Sequence, residues 1–230
     1  MITRIITPIA PPAAISLYRS ARAFYRRLRR RAVFEQIYRE NLWGDSESRS
    51  GHGSGLAATE KIRDGLLDVI TRLQIHTMID APCGDYSWVS ALSLADHLTA
   101  YIGFDIVPQL IARNKQLWGT NKISFEITDL VKRVPPGADL ILCRHLLIHL
   151  PLEDCMRVLR NFKSSGSRYL MITNQPDVER NDEIIFTGSF QPRNLYLPPF
   201  SFPQPIWSVD DSQGQDRSEA AIFQLSTLNI

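Results

Sequence analysis

Thr77-Met-Ile-Asp-Ala-Pro-Cys-Gly-Asp-Tyr86 is a short apolar run that ends in an acid, a turn, one glycine and a second acid. A run of this kind breaking at proline and glycine reads as a strand whose carboxyl end opens into a loop. Asp105 closes a second such run, Ala100–Phe104, and stands 21 residues after Gly84. That spacing is the layout of a nucleotide site in which the later acid takes the ribose hydroxyls.

On either side of this stretch, apolar and partly β-branched runs alternate with helical segments. Strands are expected at 77–81, 100–104, 123–127, 138–143 and 167–173, with helices near 86–95, 108–118 and 152–163. Upstream, Ile62, Leu66, Val69, Ile70 and Leu73 share one face of a helix over 59–73. Repeated βα units predict an α/β fold, a Rossmann-like, doubly wound, mostly parallel sheet with helices on both faces. Its ligands would bind outside the carboxyl ends of the strands. After Thr173, six prolines between 176 and 205 exclude a regular helix across most of the segment, so a long, partly ordered loop region is expected, then a last strand near 221–225.

With 230 residues and 44% hydrophobic content, the chain can bury one sizeable core. Charge divides it unevenly: eight of its 26 basic residues lie in Met1–Phe34, which has no acid, leaving 18 against 24 acids from Glu35 onward. Residues 1–33 form an arm in which Leu17, Tyr18, Ala21, Phe24, Tyr25 and Leu28 recur at helical spacing among arginines. Three readings stay open for it: a membrane-surface anchor, an arginine-rich sorting leader, or a helix with a solvated polar face. Three cysteines, Cys83, Cys143 and Cys155, make neither an even disulfide set nor a CxxC pair, which suggests a reducing compartment and no structural zinc. The expected location is cytoplasmic, with peripheral membrane contact through the arm if the anchor reading holds. No window reaches the apolar length of a membrane span.

Gly44–Gly55, with four glycines and four serines, is a linker or a loop that folds over a ligand. The nearby Trp43, Arg49 and His52 favour the second.

Which nucleotide the site takes follows from charge. A pyrophosphate needs several glycines and a helix N-terminus free of carboxylate. Here one glycine lies between Asp80 and Asp85. Two acids repel a pyrophosphate and attract the ammonium and sulfonium of S-adenosylmethionine.

The Asp80-Ala-Pro-Cys-Gly-Asp85 turn, Gly103-Phe-Asp105, Thr128-Asp129 and Cys143-Arg144 together resemble the motifs of class I S-adenosylmethionine-dependent methyltransferases. Trp43-Gly44, Ser50-Gly-His-Gly-Ser54 and Asn194-Leu-Tyr-Leu-Pro-Pro-Phe200 are similar to segments of one subgroup. The match covers residues 34–210 and leaves the arm outside it, implying a methyltransferase domain over 34–230.

The resemblance implies that Asp80, Ala81, Pro82, Gly84 and Asp85 line the methionine moiety. It further implies that Asp105 binds the ribose diol, Asp129 accepts from the adenine amine, and Ile106 and Leu130 flank the ring. Helix capping is the competing role for Asp105 and Asp129. Trp88 is either core or pocket wall. Trp43, Arg49, Ser54, Asn194 and Phe200 would belong to the lid or the substrate side.

Methyl transfer to oxygen needs a base for the acceptor's proton. His145 and His149, four apart in Arg144-His-Leu-Leu-Ile-His149, could share a helical face beside the cofactor. A buried histidine bonded to backbone is the plainer reading of His149. Arg144 would hold a carboxylate, or pair with Asp80 or Asp85. A metal pair lacks a third ligand, so no metal is expected.

The leading expectation is an O-methyltransferase for a hydroxyl of a sugar, glycan or other small polar metabolite, with S-adenosylmethionine as cofactor. A non-catalytic binding module and a nucleic-acid methyltransferase are the alternatives. The acidic body argues against an extended phosphate footprint, so no nucleic-acid partner is expected.

Overall fold

In a computed structural model of the protein, residues 29–184, 186–212 and 217–230 are described. Most of the basic segment Ile15–Ala32 therefore lies outside the described residues.

Seven strands form one sheet in the order β3-β2-β1-β4-β5-β7-β6. They are β1 (Thr77–Asp80), β2 (Ala100–Asp105), β3 (Ile123–Ile127), β4 (Leu140–Cys143), β5 (Tyr169–Asn174), β6 (Trp207–Asp210) and β7 (Glu219–Gln224). The first five run parallel, and β7 enters antiparallel between β5 and β6. Side chains alternate across this sheet as the two-residue strand period requires. Met78, Leu140 and Leu142 enter the core on one face, while Ile79, Ile141 and Cys143 enter the core on the other.

Helix α1 spans Arg30–Glu40, α2 Glu60–Arg72, α3 Leu94–His97, α4 Pro108–Trp118 and α5 Leu152–Ser164. The apolar stripe of α2, Ile62, Leu66, Val69 and Ile70, is buried on the first face. Gly65 lets α2 lie flush on β6, because a Cβ there would stand 2.2 Å from Val209 Cγ1. Val158, Leu159 and Phe162 of α5 fill the second face. Helix α1 runs without a break through position 33, where composition placed the end of the arm.

Two expectations fail. The helix expected at 86–95 is a short 3₁₀ turn, Val89–Leu92, followed by α3, with Ser93 between them in the left-handed region at φ 48°. Strand β6 lies inside the segment read as loop. It is four residues long at the sheet edge, too short to show periodicity among prolines. No helix among the described residues is long and apolar enough to cross a membrane.

Candidate active site

Strand order reverses at β1, flanked by β2 and β4, and a cavity opens at that switch point outside the strands' carboxyl ends. Asp80, Pro82, Gly84 and Asp85 form its floor after β1, with Asp105 and Ile106 after β2 and Asp129 and Leu130 after β3. Arg144, His145 and His149 follow β4, and Trp88 closes one side. Trp43, Arg49 and Ser54 stand above with Phe34 and Tyr38 of α1. The free volume is about 140 Å³. Ligand pockets usually measure about 300–1,000 Å³. The cover thus leaves the cavity narrow as it stands.

Two buried acids set the electrostatics of the floor. The Tyr101 hydroxyl donates to Asp80 Oδ2 at 2.7 Å, and burial pushes the Asp80 carboxyl up to about 7 against the pull of Arg144. Burial likewise raises Asp105 to about 6, opposed by backbone N–H groups, of which Val107 donates to Oδ1 at 3.0 Å. Asp105 therefore serves the turn before α4 and lines the cavity as well.

The glycine-rich loop is folded down on the turn after β1. Ser48 Oγ and the Arg49 N–H donate to Asp85 Oδ2 at 2.9 and 3.0 Å, and the Asp85 N–H donates to Ser50 Oγ at 3.1 Å. Gly84 has φ +51°, and a Cβ there would stand 2.4 Å from Ser50 Oγ, so only glycine suits both the backbone and this approach. The Arg49 guanidinium donates to the carbonyls of Tyr38 and Arg39, the last turn of α1. Loop and helix thus form one cover.

Arg144 pairs with neither Asp80 nor Asp85, correcting the sequence expectation. Its guanidinium makes a bidentate pair with Asp211 at 2.8 and 2.8 Å and donates to the Gly53 carbonyl at 2.8 Å. It also lies 5.5 Å over the Trp88 ring, so Trp88 is both core and wall. Fully committed inside the protein, Arg144 is a brace between β4, the end of β6 and the loop. Asp129 is engaged too: Arg30 of α1 donates to its Oδ2 at 2.9 Å and reaches the fully buried Asp154 at 3.0 Å.

The two histidines do not share a helical face. His145 sits at φ +55° and only a 3₁₀ turn, Leu147–His149, follows, so the i, i+4 argument loses its helix. Both still line the cavity. His145 Nε2 lies 3.7 Å from Asp211 Oδ2, and burial, then Arg144, holds its imidazole well below the ordinary histidine range. Burial lowers His149 to about 4. Its Nδ1 lies 3.1 Å from the Ser189 carbonyl, and its ring stacks on Trp43 with centroids 4.7 Å apart. A carbonyl only accepts, so Nδ1 carries the proton and Nε2 keeps a free lone pair.

Asn194, Phe200 and Ala81 are absent from the cavity wall. The Asn194 amide donates to the Pro176 and Val178 carbonyls, and Phe200 and Ala81 are buried in the second core. The loop after β5 has few strand partners for its backbone, so an amide side chain supplies them. Sequence reasoning missed Asp211, Arg30, Phe34 and Tyr38. The acids closing Trp207-Ser-Val-Asp-Asp211 were a readable strand-end signal; nothing local announced the long-range partners of Arg30. Among the described residues, no group of three or more His, Cys, Asp or Glu is placed to hold a metal ion.

No family model matches the sequence, and no curated protein matches it significantly. Solved structures do match in fold. The N-methyltransferase NodS from Bradyrhizobium japonicum WM9, in complex with S-adenosyl-L-homocysteine, superposes with TM-score 0.60 at 14% identity, over 82% of this chain and 98% of that one. Magnesium protoporphyrin IX methyltransferase from Synechocystis PCC 6803, with bound SAH, gives 0.58 at 15% identity over 84% and 98%. Human N-acetylserotonin methyltransferase in complex with SAM gives 0.53 at 17% over 72% and 52%. The chain has the Rossmann-like fold of these S-adenosylmethionine-dependent methyltransferases.

Proposed function

We propose that the protein is an S-adenosylmethionine-dependent methyltransferase that methylates a hydroxyl of a sugar, glycan or other small polar metabolite. The observation that carries this reading is the floor of the cavity, where buried Asp80 and Asp105 flank a turn with a single glycine at the switch point. That floor suits a cationic nucleoside and is a poor cradle for a pyrophosphate. The fold's neighbours with bound SAM or SAH support the same cofactor.

The donor set fits the group. Asp80 would face the ammonium, Asp105 the ribose hydroxyls, and Ile106 and Leu130 the adenine faces. A carboxylate has about four lone-pair sites, so Asp129 can take an adenine amine beside Arg30 and Val131. When bound, S-adenosylmethionine supplies a methyl group activated on a sulfonium. His149, with its proton held on Nδ1 by Ser189, presents Nε2 to the acceptor hydroxyl and takes its proton. Trp43 holds the ring in place by stacking.

Calorimetry with S-adenosylmethionine and with NAD tests the cofactor. Binding of the first alone is expected, and tight NAD binding would sink the reading. For the base, His149→Ala should lower turnover at saturating cofactor by about 10²–10⁴-fold, with cofactor affinity unchanged.

A further inference from the structure

His149 rides on a turn too short to hold itself. The 3₁₀ segment Leu147–His149 is three residues long, and its backbone bonds run from the His149 N–H to the Leu146 carbonyl at 3.0 Å and from the Leu150 N–H to the Leu147 carbonyl at 3.2 Å. The remaining carbonyls must find donors elsewhere in the chain. They find them in the segment after β5. The Gln191 N–H donates to the Ile148 carbonyl at 2.8 Å, and the Gly188 N–H donates to the His149 carbonyl at 2.9 Å. Between these two donors stands Ser189, whose carbonyl takes the ring proton of His149. Residues 188–191 thus grip the main chain and the ring of the base together.

Arg193 ties the far side of the same turn. It is fully buried, and its guanidinium donates through Nε to the Leu147 carbonyl at 3.4 Å and through Nη2 to the Leu150 carbonyl at 3.0 Å, so it brackets His149. Its Nη1 donates to the Asp182 carbonyl. The Arg193 N–H donates to Gln175 Oε1 at 2.7 Å, and its carbonyl accepts from the Gln175 N–H at 2.8 Å, which anchors the residue at the end of β5. One planar fork therefore joins both ends of the turn to the two flanks of the segment that holds the ring proton. Among the described residues no carboxylate pairs with Arg193. A buried cation set against neutral carbonyls carries a desolvation cost that an apolar side chain would avoid. What it adds is charge-assisted bonds in a fixed geometry. The Cys155 thiol, a weaker donor, lies 3.3 and 3.4 Å from the same two carbonyls and would keep them partly satisfied without the guanidinium.

We propose that Arg193 is a positioning residue for His149. By holding the Leu147 and Leu150 carbonyls it fixes the ring where the Ser189 carbonyl keeps the proton on Nδ1 and leaves Nε2 to take the acceptor's proton. Arg193 itself lies outside the cavity wall and acts only through the turn. The role of His149 as base rests on the methyltransferase reading, whereas the positioning is read on the ring itself and needs no acceptor.

The test is long-range proton–nitrogen NMR of the full chain with S-adenosylhomocysteine at pH 7.5, where burial keeps the His149 imidazole neutral. His149→Gln assigns the signal. A hydrogen bond of about 1.4 kcal/mol is a factor of ten, so wild-type His149 should favour the Nδ1–H over the Nε2–H tautomer by about ten to one. Arg193→Met should lower that ratio by about threefold or more. Arg193→Lys keeps the charge but not the fork, so it should fall between the two. His52, 76% exposed on the serine–glycine loop, should keep its ratio, and affinity for S-adenosylhomocysteine should be unchanged in both variants. A wild type in the Nε2–H form, or a folded R193K or R193M with the wild-type ratio, overturns the positioning role. A His52 signal that shifts along with His149 marks general loosening and overturns it as well. A wild type that fails to bind S-adenosylhomocysteine overturns the methyltransferase reading instead, and the tautomer ratio still decides the positioning.

Discussion

The strand ends beneath the cavity are held by apolar packing, whereas the helix and loop above it are held by charge. Met78, Ile79, Leu140, Ile141 and Leu142 are at most 1% exposed, and the acids of the floor ride on that packed sheet. The cover depends on Arg30 with Asp129 and Asp154, Arg144 with Asp211 and Gly53, and Asp85 with the serine loop. Dispersion contacts keep the floor's geometry whether or not a ligand is present. Polar contacts exchange with water and ligand, so a cover built from them can be released.

The largest effect should come from the cover. Asp211→Ala leaves the Arg144 guanidinium buried and unpaired, and removing one partner of a buried pair costs about 3–5 kcal/mol. Denaturant unfolding should show that loss, and a stability equal to wild type would break the contrast between the two regions. A floor acid should behave in the opposite way. Asp105→Ala should lower cofactor affinity by about 100-fold or more, since hydrogen bonds to a charged group are worth about 1.5–3 kcal/mol each. Its folding stability at pH 7.5 should change far less than that of Asp211→Ala, because relief of a buried carboxylate raised by burial offsets the loss of the Val107 N–H contact. A variant that loses stability but keeps its cofactor would reverse the two roles.

The smallest effect is a pH dependence. Asp80 titrates at about 7 in the folded protein, well above its ordinary value of 3.8. The folded state thus holds more protons than the unfolded one between these values, and stability falls as pH rises through them. His145 and His149 act in the reverse sense, because both are lowered, but only below their ordinary value of 6.5. The window from pH 6.5 to 7.5 therefore lies above the histidines and holds Asp80 together with the upper end of Asp105, which burial raises to about 6 with the same sign. The thermal midpoint of the ligand-free protein should fall across it while affinity for S-adenosylmethionine rises. A flat profile in both would remove Asp80 from the cationic subsite.

The floor was largely legible because each of its acids ends a strand or follows one within a few residues. Asp80 and Asp105 close apolar runs that read as buried strands, Asp129 follows the half-exposed edge strand β3, and the sheet brings such ends together where it reverses. The cover was legible only as composition. The serine–glycine loop could be read as a lid or a linker, and its attachment to Asp85 depends on residues 35 to 37 apart. Asn194 and Phe200 looked like site residues because their segment stands out locally, yet their partners make them braces of the loop after β5.

By itself the sequence determined the alternation of strands and helices, the two faces each element buries, and the acids at the strand ends. These follow from patterns within a few residues of one another. Tertiary structure alone decided that Arg30 meets Asp154 across 124 positions and that Arg144 meets Asp211 across 67. It also decided that β7 enters antiparallel between β5 and β6. A charge or a hydroxyl can bond any complementary group, so its partner is chosen by which distant segments the sheet brings within about 3 Å.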